Sequence, residues 1–191
     1  MTDAIPLTNQ WRRVKLRVED YLALDRAGAF DAYGRTELIE GEVVYMNAQH
    51  RPHARTKSRL HLLIANELVK AGGHYEALVE GSVSMPPHNV PEPDIAVTAE
   101  PDGDGLIPLA SLALIVEVAD TTIRNDLGRK KKIYAREGVP EYWVVDLRKA
   151  VFHQLWNPTD GVYSDSREMR FGERVSSTTI EGLSIATDTL A

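Results

Sequence analysis

With 191 residues, 43% of them hydrophobic and 26% charged, the chain is long enough for one full core and has the composition of an ordinary globular protein. The absence of cysteine excludes disulfides, thiolate zinc sites and cysteine nucleophiles, and agrees with a reducing compartment. A net charge of −6 excludes any general attraction to nucleic acid unless basic residues gather on one face.

The opening residues lack the apolar core of a signal peptide, and no run of about 18 apolar residues occurs, so a cytoplasmic protein without membrane contact is expected. Val18 to Ala27 carries Val18, Tyr21, Leu22 and Leu24 at helical spacing before Gly28, which predicts a short amphipathic helix. Leu38-Ile39 and Val43 to Met46 flank Glu40-Gly41, the pattern of a β-hairpin decorated by Glu37, Glu40 and Glu42. A long helix follows, opened by Pro52, with Leu60, Leu63, Ile64, Leu68 and Ala71 as its apolar positions and Gly72-Gly73 as its stop. Arg51, Arg55, Lys57 and Arg59 at its start oppose the helix dipole and call for either a solvated face or an anionic ligand.

Tyr75 to Val83 alternates as a strand, and the proline-broken MPPHNVPEP leads into a second strand, Ile95 to Thr98, opened by Pro93-Asp94. Pro101 to Pro108 reads as a turn-rich loop, since it lacks the closing glutamate of a calcium loop. Leu112 to Val118 is an apolar run without alternation, expected as a strand covered on both faces, and Glu117 is its only charge. Burying a lone ionised carboxylate is costly, so the strand must expose Glu117 at its end or supply it with a partner. Asn125 or Asp126 then caps a helix running to Glu137, with Arg129, Lys130, Lys131 and Lys132 in its first turns and Gly138-Val139-Pro140 as its stop. Glu141 to Asp146, Val151 to Trp156 and Val162 to Phe171 are predicted strands, the last two joined by NPTDG, before a polar tail with an apolar patch at Leu183 to Ile185.

The order predicts an α/β (α+β) architecture for residues 1–191 as one domain: a sheet flanked by helices, an N-terminal helix and hairpin, and a closing run of antiparallel strands. Asp94 and Glu117 on strand ends beside lysines suggest a site for a divalent metal and phosphate. Plainer roles compete. Asp126 and Lys130 can be a surface i,i+4 pair worth about 0.2–0.5 kcal/mol. Tyr134 and Trp143 read as core aromatics, and His53 as a helix-start histidine.

Together, ELIEGEVV, the helix bearing His53, PEPDIAV, LIVEVADTT and DLGRKKKIYAREGVPEYWVVD resemble the Uma-two family of restriction endonuclease-like proteins over roughly Tyr21 to Val151. The most specific part is the ordered set Pro93-Asp94, Glu117-Val118, Asp126 with Lys130 and Tyr134 at steps of four, and GVPEYW. The resemblance implies the PD-(D/E)XK nuclease fold with a mixed central sheet. It implies Asp94 and Glu117 as catalytic carboxylates holding magnesium, with manganese as a substitute, and the Val118 carbonyl and Glu37 as further ligands. The usual motif has a lysine two residues after the glutamate, where this chain has Ala119, so the catalytic lysine falls to Lys130. His53 and Asp126 are further site members by the same resemblance, and Asp120 stands where relatives carry proline.

The implied activity is metal-dependent hydrolysis of phosphodiester bonds in DNA. A basic rim of Arg51, Arg55, Lys57, Arg59, Lys131 and Lys132 is expected around an acidic pocket, and double-strand cleavage by one small site calls for a homodimer. The alternative, favoured by the displaced lysine and the acidic charge, is a nuclease-fold module that binds nucleic acid or a protein partner without turnover. On an exposed helix, Lys130→Ala is expected to leave folding nearly unchanged.

Overall fold

The computed structural model describes residues 13–46 and 48–190. The leaderless start read from the sequence falls largely on residues 1–12, outside that range. Helix α1 (Val18–Arg26) precedes a hairpin of β1 (Thr36–Ile39) and β2 (Glu42–Tyr45), followed by the long helix α2 (Arg51–Ala71). Then come β3 (Glu76–Val79), the two-residue β4 (Val83–Ser84), β5 (Ile95–Thr98), the two-residue β6 (Ile107–Pro108) and β7 (Leu112–Ala119). A continuous helical run of α3 (Ile123–Asn125), a π-turn (Asp126–Lys130) and α4 (Lys131–Arg136) leads to β8 (Glu141–Asp146). The chain closes with β9 (Val151–Thr159), β10 (Val162–Arg170), β11 (Arg174–Ser176) and β12 (Ser184–Ala186).

The central sheet has the order β10-β9-β8-β7-β5-β3. Strands β7 and β8 are parallel, and the helical run makes the crossover that a parallel pair requires. The other neighbours are antiparallel, which gives the mixed restriction-endonuclease-like sheet expected from the sequence. As the unalternating apolar run predicts, β7 is buried along its whole length. Leu114, Val116 and Val118 pack with Leu60, Ile64 and Leu68 of α2, while Ile115 and Ala119 pack with Ile133 and Tyr134 of α4 on the opposite face. Among the described residues no helix is long and apolar enough to cross a membrane.

Three local expectations are corrected. Tyr75 to Val83 is not one strand, because Glu80 takes a positive φ of 57° and breaks it, and the remainder forms β4. β4 pairs in parallel with β6, so the segment read as a loop before Pro108 ends in a short strand. The helix after β7 starts at Ile123, with Thr122 as its N-cap residue, so neither Asn125 nor Asp126 caps it.

The C-terminal segment is fastened to the sheet by Glu141, which is wholly buried. Its two oxygens accept from Trp143 Nε1, Gln154 Nε2, the Ser177 and Thr179 hydroxyls, and the N–H groups of Thr178 and Thr179. A carboxylate so supplied with donors satisfies its buried charge without an ion pair.

Candidate active site

In the β5–β7 pair Ile95 stands opposite Val116 and Ala96 opposite Ile115, so one further step of the register sets Asp94 opposite Glu117. The two carboxylates thus share the end of the sheet where β5 begins and β7 ends. They line one cavity of about 790 Å³ with Glu37, His53, Asp126 and Lys130. Asp94 Oδ2 accepts the Val118 N–H at 2.8 Å, which ties this carboxylate to the neighbouring strand.

Alternation along β7 turns Glu117 towards the helical run, where its compensation waits. Lys130 Nζ lies 2.9 Å from Glu117 Oε1, and Tyr134 OH donates to the same oxygen at 2.9 Å. Asp126, Lys130 and Tyr134 follow one another at steps of four on the inner face, with exposures of 3%, 7% and 0%. The π-turn places the Lys131 N–H on the Asp126 carbonyl, five residues back. The surface pairing of Asp126 with Lys130 is therefore not what the fold builds. Lys130 turns to Glu117 and Glu37, and Asp126 Oδ2 instead accepts from Thr122 Oγ1 at 2.6 Å.

Glu37 arrives on β1 through the docking of its hairpin. The turn residues Glu40 and Gly41 have φ of 52° and 76°, the positive values a tight two-residue hairpin needs, and a side chain at 41 would strike Lys15. Arg129 then pins the turn to the helix through Glu40 Oε2 at 3.0 Å and the Ile39 carbonyl at 3.1 Å. Glu37 Oε1 accepts the Glu92 N–H at 2.7 Å and meets Lys130 Nζ at 3.1 Å.

The three-carboxylate metal set of Asp94, Glu117 and Glu37 is not assembled. Among the described residues no group of three His, Asp or Glu side chains could hold a metal ion, and Glu37 serves the lysine. Asp94 and Glu117, opposite each other in the strand register, are hard oxygen donors of the kind a magnesium-like cation takes, since that ion commonly uses one or two carboxylates and completes its shell with water and substrate phosphate. Both hydrogen bonds to Glu117 fall on Oε1, so Oε2 accepts none among the described residues.

From the other side, α2 carries its buried stripe past the core and into the site. Thr56, Leu60, Ile64 and Leu68 form that stripe, and Lys57 beside it is only 6% exposed. His53 Nε2 lies 3.1 Å from Asp94 Oδ2, and its buried Nδ1 has no hydrogen-bond partner among the described residues. Lys57 Nζ lies 3.5 Å from Asp94 Oδ1, bonds Gln49 Oε1 at 2.6 Å and contacts Glu80 Oε1.

The expected basic rim is corrected accordingly. Lys57 is an inner residue, and Arg59 donates to the Thr189 carbonyl at 2.6 Å, near the C-terminus. Lys131 is half-buried, and only Arg51, Arg55 and Lys132 are exposed. None of the six lines the cavity. Arg35 and Arg129 line it instead, each held by carboxylates: Arg35 by Glu80 at 2.8 Å and by Glu92, Arg129 by Glu40. Arg35, Gln49, Glu80, Glu92 and Thr122 carry no signal of a site in the sequence, because they occupy turns and irregular segments with no periodic pattern. The Glu80-Gly81 dipeptide was the one local hint of a break.

Burial pushes the Glu117 carboxyl up to about 8, against the pull of Lys130 and with the help of Asp126, Asp94 and Glu37. Burial likewise pushes Asp126 up to about 6, against Thr122 and Lys130. Burial also pushes Asp94 upward, but His53, the Val118 N–H and Lys57 outweigh it and hold the group below its ordinary value. Although burial disfavours its charge, Lys130 is held above its ordinary value by Glu117, Glu37 and Asp126, and so stays an ammonium. The site thus combines a low-pKa and a high-pKa carboxyl group with a fixed cation.

No curated protein matches the chain. Among solved structures it is similar to one titled a "putative nuclease belonging to DUF820" from Anabaena variabilis ATCC 29413, with a TM-score of 0.68 and 15% identity over 92% of this chain and 97% of that one. At that identity the likeness is one of fold. The sequence model of the family Uma2, described as "Putative restriction endonuclease", matches residues 18–188 and supports a nuclease-like function on nucleic acid. Spanning the hairpin, both carboxylate strands and the lysine helix, that match establishes that the chain belongs to the Uma2 family.

Proposed function

We propose that the protein is a metal-dependent endonuclease that hydrolyses phosphodiester bonds in DNA, with Asp94 and Glu117 holding magnesium, or manganese in its place. The observation that carries this reading is the convergence of Asp94, Glu117 and Lys130 on one cavity, with Lys130 Nζ 2.9 Å from Glu117 Oε1. A divalent ion bound there supplies Lewis-acid polarisation of the phosphoryl oxygen and lowers the pKa of bound water. The chain's own groups prepare the rest. Lys130, permanently charged and clasped by Glu37 and Glu117, is positioned before substrate arrives to stabilise negative charge developing on the phosphate. Tyr134 orients Glu117 through Oε1, while His53 and the Val118 N–H orient Asp94. Exposed Arg51, Arg55 and Lys132 are available for phosphate contacts. A homodimer belongs to the reading only where both strands of a duplex are cut, since one small site per protomer then has to act twice.

The test is cleavage of plasmid and oligonucleotide DNA with magnesium or manganese. Wild type is expected to cut, EDTA to abolish cutting, and Asp94→Asn, Glu117→Gln and Lys130→Met each to lower the rate by about 100-fold or more. Cleavage that persists in EDTA or in Asp94→Asn would overturn the proposal. A wild type that binds nucleic acid yet never cuts it with either metal would return the chain to the binding-module alternative.

A further inference from the structure

Two tyrosines stand in solvent at the mouth of the cavity. Tyr33 closes the 3-10 turn Asp31–Tyr33 and Tyr45 closes β2, and they are 60% and 65% exposed. Their ring centroids lie 6.4 Å apart with the planes inclined by 32°, within the range of an aromatic pair, so residues from two separate segments make one patch. Both rings line the cavity that holds Asp94, Glu117 and Lys130, with Val44 and Met46 beside them. The other aromatics at the site have different duties: Tyr134 and Tyr142 are fully buried, donating to Glu117 Oε1 and to the Asp126 carbonyl.

The charges around the patch narrow what it can take. Seven carboxylate side chains line the cavity against three from arginine and lysine, and Arg35, Arg129 and Lys130 are all paired with carboxylates. Duplex DNA draws most of its affinity from neutralised phosphates, and this lining has few free cations to offer them. A single strand has a lower charge density, and its unstacked bases gain affinity from aromatic faces whatever their sequence.

We propose that Tyr33 and Tyr45 form a stacking platform for an unpaired base beside the scissile phosphate, so that the substrate class is single-stranded or locally unpaired nucleic acid rather than intact duplex. The proposal rests on the nuclease reading of the site and specifies its substrate.

The test uses the full chain in EDTA, with a single-stranded oligonucleotide carrying 2-aminopurine and the matching duplex. The single strand should bind more tightly than the duplex, with the 2-aminopurine fluorescence quenched on binding. Tyr33→Ala and Tyr45→Ala should each weaken single-strand binding about five-fold or more and relieve the quenching, leaving duplex binding unchanged. Tyr33→Trp and Tyr45→Trp should retain both signals, and thermal melting confirms that each variant folds. Tighter binding of the duplex, alanine variants with unchanged affinity and quenching, or failure of the single strand to bind would overturn the platform. The nuclease reading is judged separately, by metal-dependent cleavage that requires Asp94 and Glu117. Stacking without cleavage sinks that reading alone, and cleavage without stacking sinks the platform alone.

Discussion

Lys130 Nζ and Glu117 Oε1 meet at 2.9 Å, thirteen residues apart in sequence, one on the π-turn and the other near the end of β7. Glu117 is 5% exposed and Lys130 7%, so the one acidic side chain of the strand meets a buried cation rather than water.

That burial reverses the expectation for Lys130→Ala. At pH above about 8, where Glu117 is ionised, removing the ammonium leaves Glu37 and Glu117 buried without their cation, which should cost about 3–5 kcal/mol of stability. Denaturant unfolding reads this directly, and the double variant Lys130→Met/Glu117→Gln should recover much of the loss. A single variant as stable as wild type would mean that water reaches the pair.

Stability should also depend on pH with a defined sign. Glu117 ionises at about 8 in the folded chain and near its ordinary 4.5 when unfolded, so between these values the folded state holds a proton that the unfolded state has released. Stability of the metal-free protein is therefore highest at the acid end of that window and falls as pH rises to about 8. Asp126, pushed up to about 6 from 3.8, adds a fall of the same sign over its lower range. Asp94, held below 3.8, contributes oppositely and only in stronger acid. Unfolding in EDTA at pH 6 and pH 8 checks the slope, and Glu117→Gln should remove most of it. A wild type that gains stability across this interval would contradict the assignment.

The same proton should appear when metal binds. Ligation requires an ionised carboxylate, so magnesium or manganese binding near pH 7 should release about one proton per ion. Calorimetry in two buffers of different ionisation enthalpy measures that number. Asp94→Asn should abolish the binding heat, and binding without proton release would show that Glu117 is not displaced from its protonated form.

The cations of α2 should separate into two kinds. Lys57→Ala removes charged hydrogen bonds to Glu80 and Gln49 and should cost about 1.5–3 kcal/mol of stability. Arg55→Ala, on an exposed position, should stay within about 0.5 kcal/mol of wild type. If Arg55 meets phosphate, its loss should instead lower the slope of log affinity against log salt by about 0.7 on single strands. Equal stability effects at the two positions would refute the distinction.

The elements that carry the site were legible in the chain because their signals are local. The unalternating run of β7 announced a strand buried on both faces, Pro93-Asp94 marked the start of β5, and Pro52 and Gly72 bounded α2. The steps of four from Asp126 to Lys130 to Tyr134 were visible as a shared helix face, and the spacing already matched the family. Local signals compete at the start of the helix after β7: Asn125 and Asp126 both resemble caps, but Asp126 faces inward and Thr122 precedes the helix.

The choice of partner for each charge was decided only when distant segments met. Lys130 and Glu37 are 93 residues apart, and no periodicity distinguishes Glu37 from Glu40 or Glu42 on the same hairpin. Lys57 looked like its neighbours Arg51 and Arg55 until α2 was laid across the start of β5, which buried it beside Asp94. Tyr33 and Tyr45 became one surface only when the hairpin folded beside the preceding turn. Helical period, strand alternation and turn residues act over a few positions, whereas ion pairs and aromatic patches depend on which surfaces the sheet brings together.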